Sequence, residues 1–273
     1  MLDGSYWPSG EPARRHLGRL TAPEVKQSLS RRSVLCLPIG AYEQHGPHLP
    51  IYTDTILAEG FAYKVIARWG EHYDIWLLPT IPYGLSREHS WSAGTVSLSI
   101  RVFSDLVLAV CEELAAAVPA RNLLIINGHG GNRGILEALV YEIKRRVSLN
   151  VCVTHPTALS KARSGSPLPE VHGGMSETSV MLALASSEVH MERLPESYIP
   201  DESAKEAIRR IILERGTTWP WTSDDPSIAS FGIIGDARKA DPDLGRRIVE
   251  SAIEEYGKVL SCLVARDRDD GRR

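Results

Sequence analysis

Short apolar, β-favouring runs alternate along this chain with longer stretches in which apolar residues recur every three or four positions. The runs lie at 33–39, 74–78, 123–126 and 151–153, and three of them meet Pro or Gly at or just beyond their ends. Between them, residues 56–69, 101–117 and about 132–147 carry the period of helices that bury one face. Strand, helix, strand, helix at this spacing predicts right-handed crossovers and a mainly parallel sheet covered on both faces, an α/β fold. Ligands of such sheets gather beyond the carboxyl ends of the strands.

Residues 1–21 lack apolar periodicity and predict an N-terminal arm, on the surface or against a neighbouring subunit. Residues 158–170, rich in Ser, Pro and Gly, read as a loop, and 176–185 resume a helix. A long polar, tryptophan-bearing segment follows over 187–230, and 243–264 form an amphipathic helix. The mixed charges of 266–273 predict a solvated tail. No linker-like stretch divides 22–265, so a single domain is expected there.

Composition narrows the function classes. Lys and Arg number 31 against 34 Asp and Glu, and no long basic stripe matches a nucleic-acid backbone. The four cysteines, Cys36, Cys111, Cys152 and Cys262, are scattered and mostly in apolar runs, as in a reducing cytoplasm. No run approaches the roughly 20 apolar residues that span a bilayer. A cytoplasmic protein with neither nucleic-acid nor membrane partners is expected.

The candidate chemistry sits where strands end. Just past the first strand, Glu43, His45, His48 and Asp54 fall within twelve residues. An extended exit sends Glu43 and His45 to one side, and Asp54 opens the next helix facing back toward them. Carboxylates with neutral imidazole suit zinc, manganese or iron(II). The second cluster is N-G-H-G-G-N from Asn127, where a buried strand turns into a helix and brings His129. The third, H-G-G-M-S-E-T from His172, adds a base and the carboxylate of Glu177. A lone glycine-rich turn is as often packing as chemistry, but three strand-end segments each bringing an imidazole point to one metal site.

These residues also carry a resemblance. The runs E-Q-H-G-P-H-L-P-x-x-T-D from Glu43, N-G-H-G-G-N, and H-G-G-x-x-E-T-S resemble, in this order, the signatures of the creatininase (creatinine amidohydrolase) family. Residues 77–84, 94–98 and 232–236 are also similar to that family. The resemblance implies a three-layer α/β/α sandwich with a mainly parallel central sheet, in a homo-oligomer that is often a hexamer. It implies two divalent ions per chain, zinc first with manganese or iron(II) as alternatives, bridged by a carboxylate and a water. Glu43, His45, Asp54 and His129 match the ligands, with Asp54 as the bridge and His48 beside them. Creatininase itself takes its remaining ligand from a Glu two residues after the matching His, and here that position is Gly131. Glu177 is expected to replace it, or failing that to serve as a catalytic base, and His172 to carry a proton to the departing nitrogen.

The implied activity is metal-dependent hydrolysis of a non-peptide or cyclic amide C–N bond in a small molecule. Relatives with H-G-G-N also suggest a mycofactocin-type precursor peptide peptidase or a formamide hydrolase of cofactor biosynthesis. A non-catalytic metal-bound scaffold subunit is the alternative of another class. Creatininase-like enzymes hold their flat substrate with tryptophans just before H-G-G, and residues 156–171 contain none. His89 and Trp91 are therefore expected at the substrate. Trp219 and Trp221 could line the pocket as well, although each of the three tryptophans reads first as a core or subunit-contact residue; His155 reads as packing or support, and Arg87 and Arg133 as surface charges with an anionic substrate as the alternative.

Overall fold

A computed structural model of the chain describes residues 10–196 and 202–270. Helices α1 (Glu11–Arg14) and α2 (Ala22–Ser28) precede β1 (Val34–Ile39), α3 (Thr53–Tyr73), β2 (Ile75–Leu77), α4 (Ile100–Ala117) and β3 (Asn122–Asn127). There follow α5 (Arg133–Arg146), β4 (Asn150–Thr154), α6 (Pro156–Leu159), α7 (Met175–Leu184), α8 (Glu202–Ile208) and α9 (Pro242–Asp270).

The four strands are parallel in the order β2-β1-β3-β4. Alternate residues of each strand feed two cores. Val34, Cys36, Ile75, Leu77, Leu124 and Ile126 pack with α3, α7 and α9. Leu35, Leu37, Ile39, Trp76, Leu123 and Ile125 pack with α4 and α5 on the other face. This period of two on doubly buried strands explains why they read as continuous apolar runs. In α9, Leu244, Ile248, Ala252, Tyr256, Leu260 and Leu263 form the buried stripe. The expected α/β/α sandwich is thus the observed architecture.

Pro38 sits inside a central strand, where a missing N–H ordinarily breaks the ladder. Its carbonyl accepts from Ile81, on the β2 side, and β2 has already ended at Leu77. In a parallel strand the N–H and C=O of one residue point the same way, so no strand partner is lost.

The chain leaves β1 through α3 to reach β2 on one side, then crosses by α4 to β3 on the other. Two right-handed crossovers in opposite directions put α3 and α4 on opposite faces. The crevice beyond β1 and β3 is therefore the topological switch point, where the first two motifs emerge.

Three boundaries differ from expectation. Residues 10–21 are not a free arm: His16 bridges Leu77 in parallel, Leu77 N–H donates to the Arg15 carbonyl, and Ala13 is buried. The exposed edge of β2 needs partners for its backbone, and this segment supplies one. The C-terminal helix runs on to Asp270 instead of ending near 264, absorbing most of the expected tail. Residues 202–213 are helical, α8 continuing into a π-turn over Arg209–Leu213, within the segment read only as polar and tryptophan-bearing. No described helix is long and apolar enough to cross a membrane. The cysteines are free, Cys36 and Cys111 buried and Cys262 exposed.

Candidate metal centre

Three loops and two helix starts bring the acidic and imidazole side chains together. Glu43 and His45 lie just past β1, both fully buried, and Asp54 occupies the first turn of α3, where the helix dipole favours a carboxylate. His129 follows β3. Gly128 permits its approach, since a Cβ there would sit 2.1 Å from the Asp54 carbonyl oxygen. His172 is held by an antiparallel bridge to Ile234, which gives the late 232–236 stretch a task, and Glu177 lies in the first turn of α7.

Asp54 aims its two oxygens in different directions. Oδ1 lies 3.5 Å from His45 Nε2, and Oδ2 lies 3.2 Å from His129 Nδ1. Glu43 Oε2 is 3.3 Å from His129 Nε2, while Glu177 Oε2 is 3.8 Å from His45 Nε2. Two ligand groups that could each hold an ion result: Glu43–Asp54–His129 and His45–Asp54–Glu177, sharing Asp54. A third, Glu43–His45–His172, overlaps both.

The donor set fits a divalent cation on its own terms. Both Glu43 carboxylate oxygens, His45 Nε2 and Asp54 Oδ2 are buried with no hydrogen-bond partner among the described residues. Such groups cost several kcal/mol, roughly, when left unsatisfied, and a cation satisfies them together. The remaining nitrogens are spoken for: His45 Nδ1 donates to the Glu43 carbonyl at 3.1 Å, and His129 Nε2 to the Leu85 carbonyl at 2.7 Å. Backbone acceptors of this kind fix the tautomer of a metal-binding imidazole.

The charges respond to this crowding. Burial pushes the Glu43 carboxyl up to about 8. Burial opposes ionisation of Asp54 too, but positive charge on His129 and His45 holds its carboxyl well below the usual range. Burial likewise opposes a charged His45, yet the Asp54 and Glu177 carboxylates raise it to about 10. Bound metal takes over the role of those imidazole protons, so binding releases them. His172, by contrast, is held well below its ordinary value by burial and the neighbouring charge of His45, and is neutral.

The expected ligand at 131 is excluded on steric grounds. A Cβ on Gly131 would lie 2.2 Å from the Leu85 carbonyl oxygen, 2.5 Å from His129 Nε2 and 2.8 Å from Glu88 Oε1. No carboxylate side chain grows from that backbone without displacing His129.

Around the centre is a cavity of about 640 Å³, lined by His89, His129, His172 and Glu177 and walled by Trp219, Pro220 and Trp221. Of the two residues expected at the substrate, His89 lines the cavity, its Nε2 3.5 Å from Glu43 Oε1 and its ring stacked on His172 at 4.0 Å. Trp91 does not. It is 47% exposed and absent from the cavity wall, and its indole N–H donates to Ser223 Oγ at 2.9 Å. Trp219 and Trp221, for which the pocket lining was the alternative to a core or contact role, form the aromatic wall. Arg133 pairs with Glu137 on α5, whereas Arg87 lines the cavity. His155 stands behind the centre, its Nδ1 3.1 Å from the Asn127 amide, which in turn donates to the His129 carbonyl.

Four contributors escaped sequence reasoning. Asn132 ties the loops together, accepting from Leu85 N–H at 2.9 Å and donating to the Gly40 carbonyl at 3.0 Å. Gln44 reaches Gly232 and the His89 and Ser223 side chains, and Ser223 Oγ lies 2.7 Å from His89 Nδ1. Glu88 lines the cavity 4.0 Å from His129 Nε2. Membership of the H-G-G-N and E-Q-H motifs was a signal for Asn132 and Gln44; Ser223 has none in sequence.

His48 lies beside the centre, 2.9 Å from Thr178 Oγ1, and burial depresses it from the ordinary 6.5 to about 4. A depressed base contributes stability that is present above pH 6.5 and lost as pH falls toward 4. Urea midpoints measured at pH 7 and pH 5 are therefore expected to fall, and less so in His48→Gln. An equal fall in both proteins rules this contribution out.

The family profile described as creatinine amidohydrolase matches residues 18–260. The chain is 32% identical over 248 residues to the mycofactocin precursor peptide peptidase of Mycobacterium tuberculosis, covering 88% of this chain and 89% of that one. It is 30% identical over 199 residues to the creatinine amidohydrolase of Pseudomonas putida, covering 65% of this chain and 75% of the relative. A solved manganese creatininase shares the fold, with a TM-score of 0.72 at 24% identity, covering 90% of this chain and 97% of that chain. The profile match spans nearly the whole described fold, and the chain belongs to the creatinine amidohydrolase (creatininase) family.

Proposed function

We propose that this protein is a metal-dependent amidohydrolase with two divalent ions per chain, zinc first, manganese or iron(II) as alternatives. The observation that carries the reading is the pair of ligand groups sharing Asp54, with unpartnered buried atoms turned into the space between them. Glu43, Asp54 and His129 would hold one ion; His45, Asp54 and Glu177 would hold the other. Bound there, the ions supply an acidified water as nucleophile and a Lewis acid for the amide carbonyl.

The chain's own residues do the rest. Gly173 N–H donates to Glu177 Oε2 at 2.7 Å and turns that carboxylate toward His45. His172 donates from Nε2 to the Gln44 carbonyl at 2.7 Å, leaving Nδ1 as the free acceptor, 3.6 Å from Glu43 Oε1. That nitrogen would carry the proton to the departing amine. His89, stacked on His172, and Trp221, edge-on to His89 at 5.9 Å, would bound the substrate. Exposed Val102 and Leu106, one turn apart on α4, support assembly into a homo-oligomer.

Elemental analysis of remetallated protein tests the centre. About two ions per chain are expected in the wild type and about one in Glu177→Gln, because the second group loses its charged ligand. Retention of both ions in Glu177→Gln would assign that carboxylate to base chemistry instead. The substrate of this reading is a small molecule with a non-peptide or cyclic amide. A second reading, cleavage of an amide in a precursor peptide, is favoured by the 32% identity to the peptidase over 88% of the chain. Hydrolysis of small formamides against short peptides separates the two.

A further inference from the structure

The cavity wall is chemically lopsided. Asp54, Glu88 and Glu177 line the cavity, while among the described residues Arg87 is the sole arginine or lysine that does so. Arg87 is exposed, and its guanidinium has no hydrogen bond or ion pair among the described residues. The other arginine near this rim, Arg133, is bound to Glu137 at 2.8 Å. An unpaired guanidinium beside a cavity is the side chain best suited to a carboxylate or phosphate. Trp219 and Trp221 line the same cavity, with Trp219 57% exposed. Exposed tryptophan at a cavity rim is costly to leave bare and offers a flat stacking surface.

We infer that the cavity takes an anionic amide, a flat or aromatic molecule carrying a carboxylate or phosphate, with Arg87 binding the anion and the Trp219–Trp221 wall stacking the body. The inference rests on the metal-centre reading, because it needs the amide end held over Asp54. It makes Arg87 a specificity-determining residue with no part in the metal site. An uncharged compact amide such as creatinine would leave both Arg87 and much of the 640 Å³ unused.

Hydroxamates anchor to divalent ions without being turned over, so they separate binding from catalysis. Calorimetry on the zinc-loaded protein would compare phenylacetohydroxamate with its para-carboxylate and para-phosphonate derivatives. One or both anionic derivatives are expected to bind roughly 10- to 100-fold more tightly than the parent, the size of one charge-assisted hydrogen-bond set. Whichever gains more identifies the anion as carboxylate or phosphate. Arg87→Gln is expected to abolish the gain while leaving affinity for the parent and the metal content unchanged. No gain, or a gain that survives Arg87→Gln, overturns the inference. If the parent itself fails to bind the zinc-loaded protein, the metal-centre reading falls, and this inference with it.

Discussion

Asp54→Asn is expected to take the metal content from about two ions per chain to below one and to lower turnover by at least about 10³-fold. The side chain keeps its size, so the first turn of α3 has no reason to unfold. What changes is that one oxygen becomes an amide and the negative charge disappears. Oδ1 faces His45 and Oδ2 faces His129, and a neutral amide cannot serve both directions. Both ligand groups are therefore damaged by one substitution, which no other residue of the centre can achieve. Elemental analysis with a far-ultraviolet circular dichroism control reads the result, and two ions retained by a folded Asp54→Asn protein would remove Asp54 from the bridge.

His172→Ala is expected to cut turnover by roughly 10²- to 10⁴-fold while both ions stay bound. The ring lies 4.2 Å from His45 and 4.0 Å from His89, so its removal opens a space that a small imidazole can enter. Added imidazole should then restore part of the rate. The competing role is ligation, since His172 also forms a possible ligand group with Glu43 and His45. Metal content decides between them: an ion lost with the ring makes His172 a ligand, and retention with slow turnover makes it the proton carrier.

Much of this centre was legible before the fold was known. Glu43, His45 and Asp54 are close in sequence and flank a strand exit and a helix start, two places where backbone direction is predictable. His129 and His172 were legible as glycine-flanked imidazoles at other strand or loop ends. Trp91 and Trp219 show where that reasoning stops. Trp91 neighbours His89 in sequence but is absent from the cavity lining and donates to Ser223, whereas Trp219 and Trp221 come from a long polar segment far along the chain. Proximity along the chain says nothing about which face of a loop meets a cavity. Residues 10–21 mislead for a related reason: their contact with β2 runs through backbone groups, which leave no side-chain signature.

The sequence by itself determined the α/β fold, the parallel order of crossovers and the metal-binding chemistry, because periodicity and donor type are local properties of the chain. The tertiary structure alone decided how those donors are shared. It turned the two oxygens of Asp54 toward different imidazoles, closed Gly131 to a side chain, and brought Glu177 to within 3.8 Å of His45. It also put Arg87 on the cavity lining with no partner among the described residues, while pairing Arg133 with Glu137. Each of these depends on distances between segments tens of residues apart, which packing of α3 and α7 against the sheet sets and which no local pattern encodes.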